Sequence, residues 1–184
     1  FFVTGSKKES NFHVVDSEHR GLAALDAVTA IVIAEGYATA DTLSQALSCP
    51  VVAAFDSGNL LKVAQVLQKK YPQKPIVIAG DDDLTQESIN GKNPGKEKAM
   101  EAAQLVNGAV VLPIFAPGEQ VSQQLSDFND LANKSVLGIE AVKRQVGSVV
   151  EKASQQAKQD SLLKLQVPIE PKQQEIKQKR ALVR

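Results

Sequence analysis

Ala30-Ile31-Val32-Ile33-Ala34 decides the fold class. An unbroken apolar run with a β-branched centre, and no polar residue at alternate positions, describes a strand covered on both faces. Runs of the same kind recur as Pro50-Val51-Val52-Ala53-Ala54, Pro75-Ile76-Val77-Ile78-Ala79 and Ala109-Val110-Val111-Leu112. Between them lie segments with helical spacing. Ala38 to Leu47 places Leu43, Ala46 and Leu47 on one side, and Asn59 to Tyr71 does the same with Leu60, Val63, Ala64 and Leu67. Pro94 to Val106 is the third such segment. Strand and helix alternating at this rhythm require right-handed crossovers and a mainly parallel, four-stranded sheet flanked by helices. The class is α/β.

Outward from this core, which spans residues 29–112, the pattern loosens. Phe1-Phe2-Val3 and Phe12-His13-Val14-Val15, joined by the polar turn Gly5 to Ser10, predict a β-hairpin over residues 1–16. Leu22, Leu25 and Val28 predict helix between Glu18 and Val28. On the other side, Ala116 to Ser126 reads as a surface loop, and Asp127 is placed to cap a short helix. A long helix is expected from Val136 to about Lys158, with Gly138 and Gly147 as its weak points. Residues 127–150 close the first domain, 1–150. The remainder, 151–184, is a basic Gln/Lys-rich tail broken by Pro168 and Pro171, partly helical or disordered.

The 184 residues are 43% apolar and 23% charged, which excludes a disordered or collagen-like chain. No apolar run approaches the ~20 residues of a membrane span. One cysteine, Cys49, leaves no internal disulfide framework, and there is no Cys/His cluster for zinc. A cytoplasmic setting is the expectation. The chain opens at Phe1 with no signal-peptide pattern, and is expected to be a piece of a longer polypeptide. Net charge is zero, but residues 1–139 hold 16 acids and 11 bases, whereas 140–184 hold 5 acids and 10 bases. Overall neutrality argues against nucleic-acid binding by bulk charge alone. The basic end is either a solvated tether or a track leading a phosphate backbone towards the acidic body, and the tether is the simpler reading.

In a parallel α/β sheet, ligands bind at the carboxyl ends of the strands. There the sequence places Glu35, then Asp56 and Asn59, then Asp81-Asp82-Asp83. Carboxylates gathered without counter-charge repel one another and recruit a cation. All-oxygen ligands suit Mg²⁺ or Mn²⁺, and such a site points to phosphoryl or nucleotidyl transfer. Each acid also has a plain explanation: Asp56 and Asp41 read as helix N-caps, and one of the Asp81–Asp83 run is a cap or a turn residue. Glu35 beside Gly36, together with the Asp triplet, is what capping explains badly. Tyr37 is either a phosphate contact or a packing residue. Asn93-Pro94-Gly95, followed by Lys96 and Lys98, either receives a phosphate or simply starts a helix. His13 and His19 lie outside the acidic group, and Cys49 sits at the wrong end of a strand, so nucleophilic catalysis has no support.

Ile33-Ala34-Glu35-Gly36-Tyr37-Ala38-Thr39-Ala40 with Ala79-Gly80-Asp81-Asp82-Asp83 resembles the Glu-Gly and Asp-x-Asp motifs of the Toprim domain. Ala53 to Leu60, Asn93-Pro94-Gly95 and Asp127-Phe128-Asn129-Asp130-Leu131 look like the branch found at the C-terminal end of conjugative-plasmid DNA primases. The resemblance covers Phe1 to about Val150. It implies Glu35 as general acid/base or metal ligand, and Asp81 and Asp83 as holders of Mg²⁺ or Mn²⁺. Asp127 and Asp130 would add metal contacts, and Asn59 a polar contact to nucleotide or loop. It implies primer synthesis from ribonucleotides on a single-stranded DNA template, with the remaining domains of a parent protein as partners. The same carboxylates would also serve a metal-dependent nuclease, and a non-catalytic DNA- or partner-binding module would use them as a solvated rim.

Overall fold

Successive side chains on a strand point to opposite faces, so each apolar run feeds two cores at once. The computed structural model describes residues 9–166. Its strands are β1 (His13–Val15), β2 (Ile31–Ala34), β3 (Val51–Ala53), β4 (Ile76–Ala79) and β5 (Ala109–Val111). Its helices are α1 (Tyr37–Leu47), α2 (Ser57–Lys70), α3 (Leu84–Asn90), α4 (Pro94–Leu105), α5 (Glu119–Ser122), α6 (Phe128–Asn133) and α7 (Gly138–Gln166). Ile31, Ile33, Val52, Ile76 and Ile78 pack with α2 and α4 on one face. Val32, Ala34, Val51, Ala53, Val77 and Ala79 pack with α1, α6 and α7 on the other.

The strand order is β1-β3-β2-β4-β5, with β2, β3, β4 and β5 parallel. The sheet therefore has five strands rather than the expected four. Phe12 to Val15 joins the sheet: β1 pairs antiparallel with β3, His13 opposite Ala53, and buries Val14 and Val15. An edge strand satisfies the outer hydrogen-bonding groups of β3, which periodicity in a three-residue segment cannot reveal. The other expected arm, Phe1 to Val3, lies outside the described residues, as does the tail beyond Gln166.

Two further expectations are corrected. Glu18 to Val28 holds only a 3₁₀ turn over Gly21–Asp26, started where Gly21 adopts φ +58°. The expected loop 116–126 contains α5 and buries Glu119 and Leu125. Helix α7 is longer than the sequence suggests and runs against the strands. Its first turns sit with α6 at the carboxyl edge, Gly147 lies beside Leu47 at the end of α1, and the Ser154 hydroxyl meets that of Thr29, just before β2. Among the described residues no helix is long and apolar enough to cross a membrane.

Candidate functional site

Strands β2 and β4 are neighbours in register, Ala34 opposite Ala79, so Glu35 and Asp81 leave the same edge of the sheet on adjacent strands. The third acidic group arrives from far along the chain. Asp127 caps α6 by accepting the Asp130 amide at 2.7 Å, and its other oxygen accepts the Thr39 hydroxyl at 3.1 Å. The Thr42 hydroxyl donates to Asn129 Oδ1 at 2.9 Å, a second tie between α1 and α6. Thus α1, which begins just after Glu35, holds Asp127 and Asp130 against the strand ends.

Asp81 is where this arrangement leaves its strain. Its Oδ1 is buried and has no hydrogen-bond partner. Burial first, then the charges of Glu35, Asp127 and Asp130, push its carboxyl up to about 8. The surrounding backbone is pressed close. A Cβ on Gly80 would lie 2.5 Å from the Ala99 Cβ, and one on Gly95 would lie 3.0 Å from the Asp81 Cβ. Glycine at position 80 lets α4 approach the end of β4 this tightly, and a side chain at position 95 would crowd Asp81.

The neighbouring acids are differently employed. Asp82 Oδ1 accepts from Asn93 Nδ2 at 2.8 Å and faces Lys96 Nζ at 3.5 Å. Asp83 caps α3, accepting the Gln86 amide at 2.8 Å. Asp130 accepts the Ser126 amide and pairs with Lys134 at 2.7 Å. Lys96 is therefore turned towards the acids, whereas Lys98 pairs with Glu101 in solvent. Asn59 is buried; its Oδ1 accepts the Ser10 amide and its Nδ2 donates to the Asn11 and Ala54 carbonyls, so its amide binds loop rather than lining the acidic group. Asp56 is an N-cap, accepting the Asn59 amide. Asp41 is not: it lies inside α1 and accepts from Gln45.

Sequence reading passed over Thr39, the tie to Asp127, although it stands in the quoted Glu35 to Ala40 stretch. It also passed over Asn93 as a bridge, which joins Asp82, the Asp83 amide and Glu87 while capping α4. The only advance signal was Asn directly before Pro at a helix start. The direction of α7 moves Lys152, Lys158 and Lys164 progressively away from the carboxyl edge, so these bases do not lead towards the acids.

A divalent cation fits the donor chemistry here. Among the described residues no group of three or more His, Cys, Asp or Glu side chains is placed to hold an ion unaided. Mg²⁺, however, needs only one or two carboxylates, the rest of its shell being water and phosphate oxygens. A buried carboxylate oxygen without a partner, in a field of like charge, meets that need.

A model of the Toprim domain family matches residues 30–136. Two relatives, each described as a DNA primase TraC of Escherichia coli, are similar along most of this chain. One is 38% identical over 86% of this chain and 14% of its own length. The other is 39% identical over 98% of this chain and 22% of its own length. The chain thus spans less than a quarter of either relative. No solved structure matches it.

Proposed function

The chain belongs to the Toprim domain family, and from that premise we propose that it is the nucleotidyl-transfer region of a DNA primase. Its reaction is the joining of ribonucleotides on single-stranded plasmid DNA during conjugation, within a longer protein whose other domains are its partners. Similarity to proteins described as DNA primase supports the reading. The observation that carries it is the Asp81 carboxyl at a strand end, whose Oδ1 is buried without a hydrogen-bond partner and which is pushed up to about 8.

Asp81 and Asp83, with Glu35, would hold Mg²⁺ or Mn²⁺, and Asp127 and Asp130 extend the negative field. When bound, the ion would acidify a primer 3′-hydroxyl and neutralise triphosphate charge. Glu35 would take the hydroxyl proton. Lys96, exchanged from Asp82 to a phosphate oxygen, adds positive charge where the leaving group forms. Gly36 offers α1 no side-chain cap, so the amides of its first turn stay open to phosphate.

The test uses the parent-length protein with a single-stranded template, ribonucleotides and Mg²⁺. Glu35→Gln and Asp81→Asn are each expected to lower primer synthesis by about 100-fold or more without unfolding the chain. Undiminished synthesis in both variants overturns the proposal. Shortening of a labelled strand in place of primer growth assigns the carboxylates to a nuclease.

A further inference from the structure

We infer that Tyr37 and His13 form a stacking platform for a nucleobase, next to the acidic group on the β1 side of the carboxyl edge. The inference rests on the nucleotidyl-transfer reading and gives that site a positioning surface. Because β1 runs antiparallel to β3, its first residue, His13, lies opposite the last residue of β3, at the same edge from which Glu35 emerges. Tyr37 opens α1 two positions after Glu35. The two ring centroids are 5.6 Å apart with the planes inclined by 40°. Tyr37 thus offers a ring face and His13 a tilted wall.

Tyr37 is 52% exposed, in a chain with 4% aromatic residues and no Trp. The other tyrosine, Tyr71, is buried and gives its hydroxyl to the Leu22 carbonyl. Packing does not account for the position of Tyr37. Both rings line one end of a cavity of about 470 Å³, which runs between β1 and α1 past Asp16, Arg20 and Asp41 to Cys49, before β3. That volume accommodates a base with its sugar. The charges in the wall are paired and lean negative. Arg20 is held by Asp16 and Glu18 at 3.1 Å each, and Asp41 accepts from Gln45. Free phosphate is disfavoured there, whereas a neutral flat ring with donor groups on its edge is suited to the polar wall.

With the base on Tyr37, the phosphate side of the nucleotide faces Gly36 and Glu35. Every base has a π-face, so the platform positions without reading sequence. The base belongs either to the template strand or to the incoming ribonucleotide, and binding separates these sources.

Titrations of this chain with labelled oligo-dT and, separately, with ATP, both in Mg²⁺, test the platform against Tyr37→Leu and Tyr37→Phe. Tyr37→Leu is expected to weaken one of the two ligands about five-fold or more, with Tyr37→Phe near wild type. The slope of log affinity against log salt should not change, because no phosphate contact is lost. Tyrosine emission supplies a second readout: the exposed ring should be quenched by the ligand that stacks. Loss of oligo-dT affinity assigns the template base, and loss of ATP affinity the incoming base. Unchanged affinity for both ligands overturns the platform, whatever Asp81→Asn does to synthesis. Primer synthesis in the parent-length protein indifferent to both Glu35→Gln and Asp81→Asn, with Tyr37→Leu still weakening a ligand, removes the transfer reading and leaves the platform. A wild-type chain that binds neither ligand removes the platform and leaves the transfer reading to the synthesis assay.

Discussion

Asp81 and Glu119 are both carboxylates withdrawn from solvent, and the chain treats them in opposite ways. Glu119, 9% exposed, accepts the Ser135 hydroxyl at 2.5 Å, the Val136 amide at 2.9 Å and the Ala116 amide at 3.3 Å. Those donors hold its carboxyl below the usual glutamate range, the Ser135 hydroxyl foremost. Asp81 has an orphan oxygen and like charges for neighbours. Burial alone does not separate a structural acid from a functional one; the supply of donors does. The fold completes the shell of Glu119 and leaves that of Asp81 open, at the edge where a parallel sheet presents its ligands.

The largest stability effect is expected at Glu119. Glu119→Ala strands the Ser135 hydroxyl and the Val136 amide, unpinning the loop that joins α6 to α7, and should lower the melting temperature by several degrees. Glu119 also stabilises the fold with the ordinary carboxylate sign. Its contribution is full above the usual glutamate range and fades as pH falls through its lowered value. Thermal melts of Glu119→Gln should therefore show a flattened acid limb. A variant as stable as wild type would erase the contrast with Asp81.

Asp81 has the reverse sign. Between its ordinary 3.8 and about 8 the folded chain keeps a proton that the unfolded chain has released. Stability therefore falls as pH rises through that window and levels off above it. Asp81→Asn should melt a few degrees higher than wild type at neutral pH and lose this decline. A divalent cation competes with the same proton, so Mn²⁺ should raise the wild-type melting temperature more at pH 9 than at pH 6 and leave Asp81→Asn almost unmoved. An Asp81→Asn variant less stable than wild type at every pH would show that Asp81 is a structural acid like Glu119.

The sequence discloses these two acids unequally. Glu35 and Asp81 are legible because apolar runs locate strand ends and strand ends locate ligands. Glu119 is hidden in Ala116 to Ser126, whose polar composition reads as loop, because its partners Ser135 and Val136 lie beyond any local window. The division of labour in the Asp triplet is hidden for a similar reason. Three identical residues differ only in what reaches them: Asn93 and Lys96 for Asp82, the Gln86 amide of α3 for Asp83, and no donor for the buried oxygen of Asp81. Helix α3 escapes periodicity because it is seven residues long and buries none of them. The core of the fold rests on period and is readable, and β1 is readable as an extended segment. The pairing of β1 with β3 and the helix α5 rest on tertiary contacts and are not readable.

The smallest effect sharpens the contrast most, because it separates placement of charge from its amount. The Thr39 hydroxyl donates to Asp127 Oδ2 and is buried at 2% exposure, so Thr39→Val keeps the shape and removes one hydrogen bond between α1 and α6. A loss of about 1 kcal/mol is expected, since an oxygen of Asp127 gives up a donor in a partly buried place. No carboxylate is deleted. If the acids around Asp81 act as a field whose geometry matters, the Mn²⁺-induced rise in melting temperature should shrink in Thr39→Val while the metal-free melt drops only slightly. Glu119→Gln gives the opposite pattern, a lower metal-free melt with the Mn²⁺ rise preserved. A Thr39→Val variant with a full Mn²⁺ response would mean that the α1–α6 tie serves packing alone, and that Asp81 needs only Glu35 beside it.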